Sequence, residues 1–251
     1  MKSVEIIILA GGKGTLMESE VPKALTLLEG KPFIRHILEA VEQCQFPNKP
    51  VVVVGYKKDM VMKALEHSYR FPFQEEQLGT GHAVKTARPL VDPNTSTVVV
   101  LFADNPFISA ATIKKLVETR EQSQAAIVMG TVTVPDFEAW RAPFYKSFSR
   151  VLRDDSGKVV RIVEFKDATE QEKAIREVNP CYLAFDATWM WQKLEQLDNN
   201  NTAKEYHLTD LPKFAFQEGK TIETISVDAK EALAANSVAE LRALEEVLET
   251  E

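Results

Sequence analysis

A chain of 251 residues, with 37 acidic against 30 basic side chains and 45% hydrophobic residues, has the length of one large domain or two small ones at roughly 100–200 residues per domain. The net charge of −7 argues against general nucleic-acid binding, which rests on neutralising phosphates with Lys and Arg, and no apolar run approaches the roughly 20 residues that cross a bilayer. The two cysteines, Cys44 and Cys181, form neither a disulfide scaffold nor a Cys-x-x-Cys pair, and Met1–Leu9 lacks the small-residue cleavage site of a signal peptide, so a soluble, cytoplasmic protein with no membrane partner is expected.

Val4–Ala10 and Val51–Gly55 are β-branched runs of strand length, and between them Phe33, Ile37, Leu38 and Val41 recur at helical spacing. Asp59–His67 reads as a second helix and Phe71–Phe73 as a short strand. Thr80 is placed to cap a helix running to about Ala87, which Pro89 ends because proline lacks the backbone donor. Thr97–Ala103 is the most apolar strand, Ser109 caps a helix over Ala110–Gln122, and Ala126–Val134 is the next strand. Runs apolar on both faces and separated by helices are the pattern of a mainly parallel sheet covered on both sides.

The second half is less regular. Ser149–Arg153 and Val159–Glu164 flank Asp154-Asp-Ser-Gly157, whose acids and glycine suit a hairpin turn. Glu177–Phe185 alternates like one strand, Ala187–Leu197 reads as a helix carrying Trp189 and Trp191, and Leu211–Gln217 as a short helix stopped at Gly219. Ser237-x-x-Glu240 is a capping box opening a last helix, with Val238, Leu241, Leu244 and Leu248 on one face. The fold class expected is α/β: a single Rossmann-like, three-layer domain over residues 1–251, with a mostly parallel central sheet and an antiparallel insertion.

The first strand runs into Ala10-Gly-Gly-Lys-Gly-Thr15. In an open parallel sheet, ligands bind beyond the C-terminal ends of the strands, so this loop lies where a ligand is expected. Its three glycines can turn backbone N–H groups inward and Lys13 adds a cation, a nest suited to a phosphate. The spacing is neither Gly-x-Gly-x-x-Gly nor the Walker pattern. On these residues alone, a tight turn reads equally well.

Leu9-Ala-Gly-Gly-Lys-Gly-Thr15-x-Met17, followed by Pro22-Lys23, resembles the signature of the sugar-1-phosphate nucleotidyltransferase family. Gln74-Glu-Glu-Gln-Leu-Gly-Thr-Gly-His-Ala83, Glu164-Phe-Lys-Asp-Ala-Thr169 and Asn199-Asn-Asn-Thr-Ala-Lys-Glu-Tyr-His-Leu-Thr-Asp210 look like the N-acetylglucosamine-1-phosphate uridylyltransferase branch of that family. The likeness runs in order from Leu9 to about Leu244; the acetyltransferase β-helix that follows in that branch has no counterpart in these residues.

The resemblance implies a reaction: nucleoside triphosphate, here UTP, plus sugar-1-phosphate gives nucleotide-sugar and pyrophosphate, with Mg²⁺ as cofactor. Both reactants are polyanions, so catalysis rests mainly on positioning and charge neutralisation. By motif position it implies Lys13, Lys23 and Asp104 as catalytic residues and Asp104 with Asn236 as metal ligands. Leu9, Ala10, Gly11, Gly12, Gly14, Thr15, Gln74, Gly79 and Thr80 are implied at the nucleotide, and Ala103, Ser149, Glu164, Asn179 and Thr209 at the sugar. Residues 1–135 would then form a nucleotide-binding half, 136–235 a sugar-binding half, and 236–251 a C-terminal helix. Without the resemblance, Asp104 reads as a turn or capping aspartate, Lys23 as a surface lysine, Asn236 as an asparagine preceding a helix, and Glu164 as a solvated edge carboxylate. His82 and His207 lie inside motifs without an assigned role, and Cys181 reads as a core residue.

Four departures stand out. Leu16 replaces an arginine expected to steady the leaving pyrophosphate, a donor worth about 10²–10³-fold in rate. Ala103-Asp-Asn-Pro-Phe107, Phe148-Ser-Arg150 and Asn179-Pro-Cys181 replace Gly-Asp-Val-Pro-Leu, Tyr-Gly-Arg and Asn-Thr-Gly, which crowds the sugar pocket and points to an altered sugar. Two other readings follow: a catalytically weak nucleotide-sugar-binding paralogue, motivated by Leu16, and a transferase for a non-sugar phosphate such as a polyol or choline phosphate.

Overall fold

The computed structural model describes residues 3–14, 20–201 and 203–249. The first half comprises β1 (Ser3–Ala10), a two-residue ribbon of β2 (Leu27–Leu28) and β3 (Lys31–Pro32), α1 (Phe33–Cys44), β4 (Val51–Val54), α2 (Lys58–Ala64), α3 (Thr80–Ala87), β5 (Thr95–Phe102), α4 (Ala110–Ser123) and β6 (Ile127–Thr133). The second half adds α5 (Arg141–Tyr145), β7 (Ser149–Arg153), β8 (Val159–Val163), α6 (Glu170–Lys173), β9 (Glu177–Asn179), β10 (Leu183–Asp186), α7 (Ala187–Leu194), α8 (Leu211–Gln217), β11 (Ile222–Ser226) and α9 (Val238–Glu249).

Nine of these strands form one sheet in the order β4-β1-β5-β10-β6-β9-β7-β8, with β11 beside β6. β1 is parallel to β4 and β5, and β11 is parallel to β6, while β10 runs antiparallel between β5 and β6. The period of two along each strand divides the core. Ile6, Ile8, Val52, Val54, Val99 and Leu101 face Phe33 and Ile37 of α1 and Ile113 and Leu116 of α4. Ile7, Val51, Val53, Val98 and Val100 face Val84 and Ala87 of α3 and Met190 of α7. Helices on both faces explain why residues 6–10, 51–54 and 98–102 are apolar without alternation.

Several elements differ from the sequence reading, each for a local reason. The helix expected over Asp59–His67 stops at Ala64 because Glu66 and His67 turn into left-handed backbone, φ 54° and 53°. The single strand expected over Glu177–Phe185 is two, split at Pro180, which cannot donate to a ladder, and Cys181, at φ 64°. The Phe71–Phe73 strand reduces to isolated bridges beside β4. Gly79, not Thr80, is the N-cap of α3, and the Thr80 hydroxyl instead accepts the Leu208 N–H at 2.9 Å. Ser109 does cap α4, accepting the Thr112 N–H at 3.1 Å. Strand β11 and the short α5 had no counterpart in the pattern reading. No helix among the described residues is long and apolar enough to cross a membrane.

Candidate active site

Leu9 and Phe102 are paired at the ends of β1 and β5, so the loops leaving these strands emerge together at the C-terminal edge of the sheet. The Ala103 N–H donates to the Leu9 carbonyl at 3.0 Å, and the Tyr56 N–H to the Gly11 carbonyl at 3.1 Å, tying three loops into one floor. Gly14 has φ +64°, and a Cβ there would come 2.7 Å from Lys23 Cβ. A side chain at position 14 would therefore displace the lysine.

Lys23 reaches the site from a turn after Pro22. Its ammonium donates to Asp104 Oδ2 at 2.5 Å and to Asn236 Oδ1 at 2.6 Å. Asp104 follows β5, and Asn236 immediately precedes the Ser237 that opens α9. Glu240 holds Asn236 in place: its carboxylate accepts the Asn236 backbone N–H at 2.8 Å and the side-chain amide at 3.2 Å, while Ser237 Oγ accepts the Glu240 N–H at 3.2 Å. The box is thus closed on Asn236, one residue earlier than its sequence signature suggests.

Two cavities meet at this cluster. One, of about 240 Å³, is lined by Leu9, Ala10, Gly11, Gly12, Lys23, Gln74, Gly79, Thr80, Ala103 and Asp104. The other, of about 210 Å³, is lined by Asp104, Asn236, Ser149, Glu164, Asn179 and Cys181. Phe102 and Asp104 belong to both walls. Asn179 spends its carbonyl oxygen on the Cys181 N–H at 2.8 Å, stabilising the turn between β9 and β10. Glu164 is exposed as a whole residue, yet partial loss of hydration raises its carboxyl above the ordinary value of 4.5, outweighing the ammonium of Lys166. Burial pushes the Cys181 thiol up to about 12, so it stays protonated and is no nucleophile at neutral pH.

Not every expected residue joins the cluster. Ala103, expected at the sugar, lines the first cavity instead. Lys13 is exposed, with Nζ 5.6 Å from the centroid of the Tyr56 ring and off the cavity wall. Thr209 lines a separate cavity of about 710 Å³ that shares Glu164 with the second. Thr15 and Leu16 lie outside the described residues. Gln77 and Glu205, inside quoted motifs but not singled out, also line the first cavity; nothing in residue type distinguishes them from neighbouring polar positions, because loop curvature decides which polar side chain turns inward.

No group of three His, Cys, Asp or Glu side chains among the described residues is arranged to hold a metal ion. Asp104 and Asn236, however, already aim two oxygens at one cationic centre. That donor set fits a hard divalent ion such as Mg²⁺, which takes few protein ligands and fills its shell with water and phosphate oxygens.

A glycine-floored crevice at the carboxyl edge of such a sheet is the ligand position of the nucleotide-binding α/β folds. Residues 6–206 match the MobA-like NTP transferase domain, and the chain belongs to that family of nucleotidyltransferases. It is 39% identical over 244 residues to the bifunctional protein GlmU of Heliobacterium modesticaldum, covering 97% of this chain and 51% of that protein. Against the GlmU of Caldicellulosiruptor saccharolyticus it is 36% identical over 249 residues, 98% of this chain and 52% of the relative. The chain thus spans about half the length of these curated relatives. The fold is shared with the 4-diphosphocytidyl-2C-methyl-D-erythritol synthase of Anaerococcus prevotii, at a TM-score of 0.69 and 14% identity over 99% of this chain and 96% of that one.

Proposed function

We propose that this protein transfers a uridylyl group from UTP to a sugar-1-phosphate, with Mg²⁺, giving a UDP-sugar and pyrophosphate. The supporting observation is the meeting of Lys23, Asp104 and Asn236 on the seam between two cavities. In this reading the first cavity takes the nucleotide, with the base at Gln74, Gly79 and Thr80 and the phosphates over Gly11, Gly12 and Gly14. The second takes the sugar, with hydroxyls at Glu164 and Asn179 and Ser149 against the ring; Thr209 serves from the far side of Glu164. A phosphate oxygen of the sugar attacks the α-phosphorus as its bond to pyrophosphate breaks. Lys23 neutralises charge at that phosphorus, and Lys13, on the glycine loop, lends positive charge to the leaving group. Asp104 and Asn236 would hold the ion, which when bound supplies charge neutralisation between the two anions. A cytoplasmic location accords with the two free thiols.

Incubation with UTP, Mg²⁺ and a panel of sugar-1-phosphates is expected to release pyrophosphate. Asp104→Ala should lower that rate by at least about 10²-fold, the scale of removing one transition-state charge contact, with the far-UV spectrum unchanged. Silence with every nucleotide and sugar phosphate overturns the assignment. Tight UDP-sugar binding without turnover would instead support the binding-paralogue reading that Leu16 motivates, and turnover of choline or polyol phosphates alone the non-sugar reading.

A further inference from the structure

We infer that His82, which is not part of the cleft wall, sets nucleobase selectivity by holding the Gln74 side-chain amide in one orientation. The inference rests on reading the first cavity as the nucleotide site. Gln74 is 4% exposed. Its Nε2 donates to the Gly79 carbonyl at 3.1 Å and stands 3.1 Å from His82 Nδ1. A carbonyl can only accept, so the nitrogen end of the amide must face Gly79. The second amide proton then meets Nδ1, which accepts it with its lone pair. Both protons of Gln74 are therefore spent on the wall. The oxygen end points the other way, over the glycine floor: a Cβ built on Gly11 would lie 3.0 Å from Oε1.

The cleft thus meets an acceptor at Gln74 rather than a donor. Uracil offers an N–H at N3 between two carbonyls, whereas cytosine offers a bare N3 lone pair beside an amine. An acceptor facing N3 pairs with the first and repels the second. Rotating the amide to suit cytosine would set its oxygen against the Gly79 carbonyl, which is anchored by the Ala83 N–H at 3.1 Å in the first turn of α3, and against the His82 lone pair until the imidazole moves its proton to Nδ1. With His82 present the flip forfeits the Gly79 bond and also requires the imidazole to change tautomer; without His82 it forfeits the Gly79 bond alone. His82 acts through Gln74 and is a positioning residue.

Binding of UTP and CTP by calorimetry, with steady-state kinetics for both, tests this in wild type, His82→Leu and His82→Asn. Asparagine places its Oδ1 where Nδ1 stood, so it restores the acceptor. The UTP-over-CTP preference should fall in His82→Leu by up to about tenfold, the worth of one net hydrogen bond, through KM rather than kcat, and return in His82→Asn. An unchanged preference in His82→Leu, or an equal loss in His82→Asn, overturns the inference while leaving the nucleotide site standing. Equal wild-type affinity for UTP and CTP also overturns it. A wild-type protein that binds neither nucleotide instead removes the nucleotide reading itself.

Discussion

At the scale of single residues, the contacts that Lys23 makes oppose the role proposed for it. Its ammonium, on a side chain only 14% exposed, lies between the two oxygens proposed for a divalent ion. An ammonium and a dication cannot share those oxygens at such range, so ion entry requires Lys23 to turn toward the phosphates that it is proposed to neutralise. Lys23→Met should therefore shift two measurements in opposite directions. Mg²⁺ or Mn²⁺ binding in the absence of substrate, followed by calorimetry or by Mn²⁺ paramagnetic resonance, should tighten, because Asp104 loses its resident counter-ion. Turnover should fall by about 10²–10³-fold, the scale of losing one preorganised charge contact. Weaker metal binding in Lys23→Met would show that the lysine supports the ion instead of competing with it. Arg150 shows how differently another buried cation is used. It is fully buried, donates among the described residues to the backbone carbonyls of Lys146, Phe148 and Lys173, and sits 4.4 Å and 5.1 Å from the ring centroids of Phe137 and Phe165. It packs the insertion together and offers nothing to a ligand.

At the scale of elements, α9 connects packing to the site. Leu244 on its inner face is fully buried, and its first turn carries the Glu240 carboxylate that holds both nitrogens of Asn236. Partners of a metal ligand orient it, and their loss costs about 10–100-fold in metal affinity. Glu240→Ala should therefore raise the Mg²⁺ concentration needed for half-maximal rate by about tenfold, with only about 1 kcal/mol lost from stability as the cap opens. A stability loss with unchanged metal dependence would confine Glu240 to the helix. The sequence showed this element because Ser237, Glu240 and the leucines carry their signal within a few positions. The same holds for Val51–Val54 and for Ser109 before α4. The insertion of β10 between β5 and β6 was not legible, since local alternation does not say which strand lies beside which. Strand β11 was missed because Ile222-Glu-Thr-Ile-Ser226 is half polar and sits at a sheet margin. Asp104 and Asn236 lie 81 and 213 positions from Lys23; only ordered motifs, not periodicity, could place them together. Lys13 shows the limit of such carry-over, because a motif names the loop but not which way its lysine turns.

At the scale of the molecule, the site draws on segments from nearly the whole chain: the loop after β1, the Gln74–Thr80 loop, the end of β5, the β9–β10 turn and the residue before α9. These segments are brought together only in the folded state, so a ligand that spans them binds that state alone and stabilises it by mass action. At 100 times its dissociation constant such a ligand adds about 2.7 kcal/mol. For a chain of this size each kcal/mol is worth about 2–4 °C in Tm, so UTP with Mg²⁺ should raise Tm by about 5–10 °C. Mg²⁺ alone should do little, because Lys23 already neutralises Asp104, and a chelator should remove the metal-dependent share of the UTP effect. One sheet runs from β4 to β8 through both halves of the chain, so the ligand should move a single transition. Far-UV dichroism, dominated by the whole sheet and its helices, and tryptophan fluorescence, reporting Trp189 and Trp191 on α7 and Trp140 near the insertion, should shift together. If the fluorescence midpoint moved while the dichroism split into a ligand-sensitive and a ligand-insensitive step, the two halves would be separate folding units.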